Sequence, residues 1–192
     1  MQHLPHRSRS ARNRGHALPK RRSRCREITG HDAAKYAVCA SASYLRKYGV
    51  PKSLAELGAH RCSAFRRPSD GRVVPWRVRV GDSLQDQHIS PAFCTNDEAF
   101  ELRAVLAGEV IGQLAAPTAA PLIRAGRLVP LLLEHVSEDY SLFVYYGSRA
   151  AQPARVRRFI DLAVDRLTDN AEFVFSDEEL RLAEAKGVAM LK

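Results

Sequence analysis

The sequence predicts a mixed α/β domain, and three observations lead there. Short apolar runs of strand formers alternate with short segments that carry helix caps. Gly, Pro, Asn and Asp punctuate most of the junctions between them. One late segment, residues 153–167, repeats its apolar side chains at helical spacing. With 192 residues and 45% hydrophobic content, the chain has material for one domain plus a tail.

Charge divides the chain unevenly. The formal net charge is +9, but residues 1–36 hold ten Lys/Arg against two Asp/Glu, and residues 37–192 hold twenty against nineteen. The excess therefore sits in a basic arm, residues 1–36, dominated by Arg, Ser, His and Pro without an apolar period. Such a segment buries too little apolar surface to offset its ordering entropy, so disorder is expected there. An arm of this kind fits non-specific binding to nucleic acid, an organelle transit peptide, or no evolved role. No aromatic residue interleaves with its arginines before Tyr36, which argues against stacking on single strands.

From residue 37 the texture becomes compact, and residues 37–167 read as the folded domain. Tyr36-Ala37-Val38-Cys39-Ala40 is short, apolar and strand-like. Ser41 or Ser43 can cap a helix over 42–48, which Gly49 would stop with a left-handed backbone. A second short helix is expected over 51–57, with Ser53 as cap, Glu56 completing a capping box and Gly58 as stop. Residues 62–65 read as a strand. Pro68-Ser69-Asp70-Gly71 is a turn, since Pro fixes φ and Asp-Gly makes the bend. Over 74–80, Val74, Trp76, Val78 and Val80 alternate with Arg77 and Arg79, the period of a half-buried strand. Gly81-Asp82 turns the chain, and 87–93 offers one more strand.

Thr95 or Asn96 is then a helix cap, with Asp97 and Glu98 in a first turn whose dipole favours negative charge. Leu102, Val105 and Leu106 form the buried side of that helix, and Gly108 ends it. Residues 110–114 read as a buried strand, 117–121 as a short helical or irregular piece between prolines, and 128–132 and 141–146 as further strands. Pro153 opens the clearest helix, whose stripe is Val156, Phe159, Ile160, Ala163, Val164 and Leu167. Arg155, Arg157, Arg158, Asp161, Asp165 and Arg166 give it a solvated face. Residues 168–192 form an extension with a modestly apolar helix, capped by Ser176 with Glu179 completing the box.

Several function classes find no support. Cys25, Cys39, Cys62 and Cys94 are widely spaced, and His60 with Cys62 is too little for zinc, so reduced, mostly buried thiols in a cytoplasmic protein are expected. The most apolar stretch, 104–123, is broken by Glu109, Gln113, Pro117 and Pro121, which suits no membrane span. No apolar run follows the basic start, as a secretory signal would require. His60, His88 and His135 lie in no nucleophile, metal or phosphate pattern, so neither an enzyme nor a cofactor is expected.

Taken in order, a set of phrases carries more than any one of them. These are Val38-Cys39-Ala40-Ser41-Ala42-Ser43-Tyr44-Leu45, Gly49-Val50-Pro51, Leu54-Ala55-Glu56-Leu57, His60-Arg61-Cys62 with Phe65-Arg66, and Pro75-Trp76. Thr95-Asn96-Asp97, Ala107-Gly108 and Gly126-Arg127-Leu128-Val129-Pro130 follow. The set closes with Ser148-Arg149 and Pro153-Ala154-Arg155-Val156-Arg157-Arg158-Phe159-Ile160-Asp161. In order and spacing the chain resembles the carboxy-terminal part of the effector-binding domain of LysR-type transcription regulators. That resemblance implies a periplasmic-binding-protein-like (type 2) α/β fold, mainly its second subdomain plus the returning strand and helix of the first.

It also implies a cleft for a small-molecule effector, such as a small carboxylate or other polar metabolite, and self-association or pairing with homologues. Thr95, Asn96, Asp97, Ser41 and Phe65 are the expected effector-binding residues: helix-start N–H groups and hydroxyls for a polar group, a ring for an apolar wall. Specific DNA binding would need an intact amino-terminal winged helix-turn-helix. Residues 1–36 do not resemble one, so a truncated regulator is expected. The family's Gly-x-Gly-Ile turn and Leu-Pro step read Gly108-Glu109-Val110-Ile111 and Leu114-Ala115 here, so strain is expected at Val110.

Overall fold

The computed structural model describes residues 24–27, 35–138, 143–146, 153–168 and 170–191. In chain order the elements are β1 (Arg24–Glu27), β2 (Tyr36–Ala40), α1 (Ala42–Tyr48), β3 (Cys62–Phe65), β4 (Trp76–Val80), β5 (Ser83–Gln87) and β6 (Pro91–Thr95). Then come α2 (Glu98–Leu106), β7 (Gly112–Ala115), α3 (Ala116–Arg124), β8 (Val129–Leu131), β9 (Phe143–Tyr146), α4 (Ala154–Leu167) and α5 (Asp177–Ala189). Two 3₁₀ turns lie at Ala55–Ala59 and Leu133–His135.

Strand β2 explains the layering. It reads as an unbroken apolar run because both of its faces are covered. Ala37 and Cys39 point to one core, with Val105, Leu114 and Ile123, while Val38 and Ala40 point to the other, with Tyr44, Leu57 and Trp76. β2 runs antiparallel between β7 and β8, and β3 runs parallel to β6. Ile111, one residue before β7, forms a parallel bridge with Cys62. Ser63 N donates to Ile111 O and Ile111 N to Arg61 O, both at 2.8 Å. The strands of the body thus follow the order β6-β3-β7-β2-β8.

The β4–β5 hairpin hangs on this sheet by a side chain acting as a strand. Gln113 accepts from Arg77 N at 3.0 Å and donates to Arg77 O at 2.6 Å. Trp76 Nε1 donates to Ser63 O at 3.2 Å.

Some expectations hold and others give way. Ser41 caps α1, and Gly49 ends it with φ +83° but an extended ψ of 177°. The expected helix over 51–57 is only a 3₁₀ turn, starting at Leu54 without a side-chain cap. The expected capping box does not form: Glu56 accepts instead from Lys52 N at 2.9 Å, one residue before Ser53. Between Gly81 and α2 there are two strands, where one was expected over 87–93. Val110 carries no strain: it is buried, and the positive φ of +78° belongs to Gly108, which makes the turn. Ala115 holds φ −69° and ψ 146° ahead of α3, a conformation proline shares, so its replacement of proline leaves the backbone intact.

The amphipathic stripe of α4 is only partly covered. Ile160 and Val164 are buried against Val144 and Tyr146 of β9, whereas Phe159 is 69% exposed. Four residues of the basic arm form β1, paired antiparallel with β9 (Arg24 opposite Tyr146, Glu27 opposite Phe143), rather than the disorder expected there. A strand of aromatic and β-branched residues offers a backbone ladder to any partner, whatever that partner's side chains. The remainder of the arm up to residue 34 lies outside the described residues.

The carboxy-terminal extension is part of the body. Ser176 and Glu179 complete the capping box of α5. Phe175 and Leu180 enter the core beside α3, and Gly187 packs directly on Val129 of β8.

Candidate functional site

Parallel strands β3 and β6 end side by side. Phe65 and Thr95 are register partners, and Arg66 N donates to Thr95 O at 2.6 Å. In open α/β sheets, ligands gather beyond the carboxyl ends of parallel strands. Both residues are half-buried, while Asn96 and Asp97, which lead into α2, are exposed. Four of the five sequence-predicted residues are therefore adjacent at one sheet edge.

The start of α2 is organised differently from the expectation. Asp97 is the cap, not Thr95 or Asn96: its Oδ1 accepts from Ala99 N at 2.8 Å and Phe100 N at 3.2 Å. Thr95 Oγ1 accepts from Asp97 N at 3.1 Å. Thr95 cannot be the cap because it still belongs to the β6 ladder, and the short carboxylate of Asp97 reaches the second and third helical amides. The amides that the sequence offered to a ligand are thus largely taken within the chain. Asp97→Ala should cost about 1 kcal/mol, read as a lower thermal midpoint; an unchanged midpoint would mean that the cap is dispensable.

Ser41 does not join the other four. Cys39 lies opposite Gly112, and Ile111 lies opposite Cys62, so Ser41 stands level with the start of β3. Phe65 and Thr95 stand at its end, roughly 10 Å away along a four-residue strand. Ser41 is buried, accepts from Tyr44 N at 3.3 Å, and shares a 2.9 Å hydrogen bond with the Ser43 hydroxyl. Helix capping accounts for it.

One polar pair went unread in the sequence. Ser63 and Phe65 are two apart on β3 and share a face. Ser63 is fully buried and donates from Oγ to Glu101 Oε1 at 2.6 Å. Glu101 lies one turn beyond Asp97 on α2 and is only 4% exposed. Burial pushes its carboxyl above the ordinary carboxylate range; the Ser63 hydroxyl pulls the other way, and the nearby charge of Glu98 adds to the rise. The spacing Glu101–Val105 was the available signal, since Val105 was correctly placed on the buried side and residues four apart share a helix face.

Elsewhere the thiols are quiet. Burial pushes Cys39 up to about 12 and Cys62 up to about 11, so neither forms a nucleophilic thiolate near neutrality. Among the described residues no three His, Cys, Asp or Glu side chains are grouped to hold a metal, and no helix is long and apolar enough to cross a membrane.

Comparison with known proteins identifies the family. Residues 33–168 match the family model of the LysR substrate binding domain. The chain is 33% identical over 139 residues to the HTH-type transcriptional regulator CrgA of Neisseria meningitidis, covering 71% of this chain and 45% of that protein. It is 30% identical over 149 residues to an HTH-type transcriptional regulator of Xanthomonas campestris, covering 76% and 43%. The chain thus spans less than half the length of these relatives. The solved CrgA regulatory domain superposes with a TM-score of 0.66 at 29% identity, over 77% of this chain and 71% of that one. The regulatory domain of a variant of AphB from Vibrio vulnificus, at 21% identity and a TM-score of 0.63, shares the fold. These neighbours are regulatory domains of the periplasmic-binding-protein-like type 2 fold. The chain belongs to the LysR substrate-binding domain family.

Proposed function

We propose that this chain is the effector-sensing part of a LysR-type transcription regulator, reading a small polar molecule at the joint end of β3 and β6. The observation that carries the reading is the pairing of Phe65 with Thr95 at that edge, directly before the capped start of α2. Phe65 supplies an apolar wall, and Thr95 and the exposed Asn96 supply hydrogen-bonding groups. Asp97 and Glu98 put negative charge at the helix start, which disfavours a carboxylate at that point. A neutral or cationic hydrogen-bonding group fits better. The relatives named above are transcriptional regulators, and this chain's place in one is that of the sensor. Sequence-specific contact with DNA falls to an amino-terminal domain outside these residues. Self-association or pairing with an intact relative belongs to the same reading, supported by exposed apolar side chains such as Phe159 and Leu162 on α4.

The test is thermal denaturation of the full chain against a panel of small polar metabolites, with Thr95→Val and Phe65→Ala in parallel. A true effector at a hundredfold excess over its Kd should raise the wild-type midpoint by about 5 °C or more and leave both variants nearly unshifted. A panel that shifts none of the three proteins, or all three alike, would remove the site from this edge.

A further inference from the structure

Three chain passages connect the body to the small unit of β1, β9 and α4. By position they are residues 28–34, 139–142 and 168–171. The unit coheres by its own contacts: β1 pairs with β9, and α4 sets Ile160 and Val164 on Val144 and Tyr146. Near where the passages meet the body, three charged residues converge. Lys35 opens the body after the first passage and Glu138 closes it before the second; the third passage joins the body at residues 172–175, and Asp177 follows directly at the start of α5. Lys35 Nζ lies 2.7 Å from Asp177 Oδ1 and 3.5 Å from Glu138 Oε1, and its side chain is only 13% exposed.

The neighbouring backbone fastens the same point. Tyr36 N donates to Ser137 O at 2.9 Å, and Ser137 N to Tyr36 O at 3.3 Å. Arg79 Nη2 reaches the other oxygen of Glu138 at 3.0 Å and brings the β4–β5 hairpin into the cluster. Just upstream, Leu132 takes a φ of +53°, and the buried Ser137 hydroxyl has no hydrogen-bond partner among the described residues. The chain leaving β8 thus passes through a position of backbone strain and an unsatisfied buried group, each of which costs free energy that other contacts must offset.

We propose that Lys35, Glu138 and Asp177 form a charge clasp that fixes the joint between the body and the β1–β9–α4 unit. A single passage leaves a unit free to swing, whereas three passages held close together allow only hinge motion about them. An exposed lysine–carboxylate pair contributes little. Here one lysine, its side chain 13% exposed, serves two carboxylates at once, themselves 49% and 66% exposed, and holds segments far apart in sequence. The third tether depends on α5, so the extension has a mechanical role beyond filling the core.

Hydrogen exchange of the full chain, read by mass spectrometry, tests the clasp. Lys35→Gln should speed exchange in residues 143–146 and 154–167 by about tenfold, while residues 37–40 and 112–115 keep their protection. Glu138→Gln should give a smaller change of the same pattern, and Lys35→Arg should stay close to wild type. Unchanged exchange in the small unit of Lys35→Gln, or equal acceleration in unit and body, would overturn the clasp; the second result would make Lys35 a general stabiliser. Should Lys35→Gln fail to fold, Glu138→Gln alone carries the same two-region comparison.

Discussion

Ending the chain after Thr168 should cost roughly 5 kcal/mol of folding stability, enough to unfold a domain whose whole margin is typically about 5–15 kcal/mol. Phe175 is 5% and Leu180 1% exposed, and full burial of such side chains contributes about 1.5–3 kcal/mol each. Arg124 then bridges α3 to the extension: its guanidinium donates to Glu179 Oε1 at 3.0 Å, Val174 O at 2.7 Å and Glu172 O at 3.2 Å. Urea denaturation checks the loss. A truncated chain with an unchanged midpoint would show that α5 merely lies on the surface. Gly187→Leu separates packing from chain length. A Cβ at position 187 would sit 2.5 Å from Val129 Cγ1 and 2.6 Å from its Cγ2, so the helix must shift away from β8. A loss of about 1–3 kcal/mol is expected, and a neutral Gly187→Leu would mean that α5 does not seat on Val129.

How much of this was legible depends on which interaction decides each element. Strands β2 and β3 match the residues expected, because an apolar run between a turn and a cap admits few readings. The box at Ser176 and Glu179 was equally plain, since both partners lie within four residues. What that local signal could not show is where α5 docks. Gly187 looks like a poor residue for a helix interior, and its use becomes visible only when Val129 lies against it. At the 3₁₀ turn Ala55–Ala59 the cap position falls on Leu54, which has no capping side chain, rather than on Ser53, whose carbonyl accepts from Glu56 N. On α4, period alone marked Val156 and Phe159 as core, yet periodicity says which side chains share a face, not whether anything covers it. The sequence points to Thr95 or Asn96 as the cap with Asp97 in the first turn; the length of the β6 ladder moves the cap to Asp97. Ser41 follows a strand, and a strand end by itself suggests the cleft; only the antiparallel register of β2 shows that this strand ends at the other edge.

Ser63→Ala should destabilise the protein by about 2–3 kcal/mol at neutral pH, the range for losing a hydrogen bond to a buried charged group. The hydroxyl of Ser63 donates to Glu101 Oε1 at 2.6 Å. Without it, the carboxylate must lose its charge or draw in water. The pH dependence fixes the sign. Burial raises the folded-state value for Glu101 above that of the unfolded chain, so the folded state holds this proton more tightly. Its contribution to stability is greatest below the unfolded value and declines as pH rises through the folded one. Glu101→Gln abolishes that decline. At neutral pH it should therefore be at least as stable as wild type, and between the ordinary glutamate value and the raised one its stability curve should be the flatter of the two. Glu184 is also raised by burial, with Glu134 adding to the effect, so the comparison must be the difference between wild type and Glu101→Gln rather than either curve alone. At lower pH the opposite trend takes over. The Lys35 ammonium holds Asp177 below the usual carboxylate range, and the Arg124 guanidinium does the same for Glu179. Their stabilisation disappears as pH falls through those lowered values. Parallel pH–stability curves for wild type and Glu101→Gln would show that Glu101 titrates in the folded protein as it does in the unfolded chain, and so that its carboxyl is hydrated rather than buried.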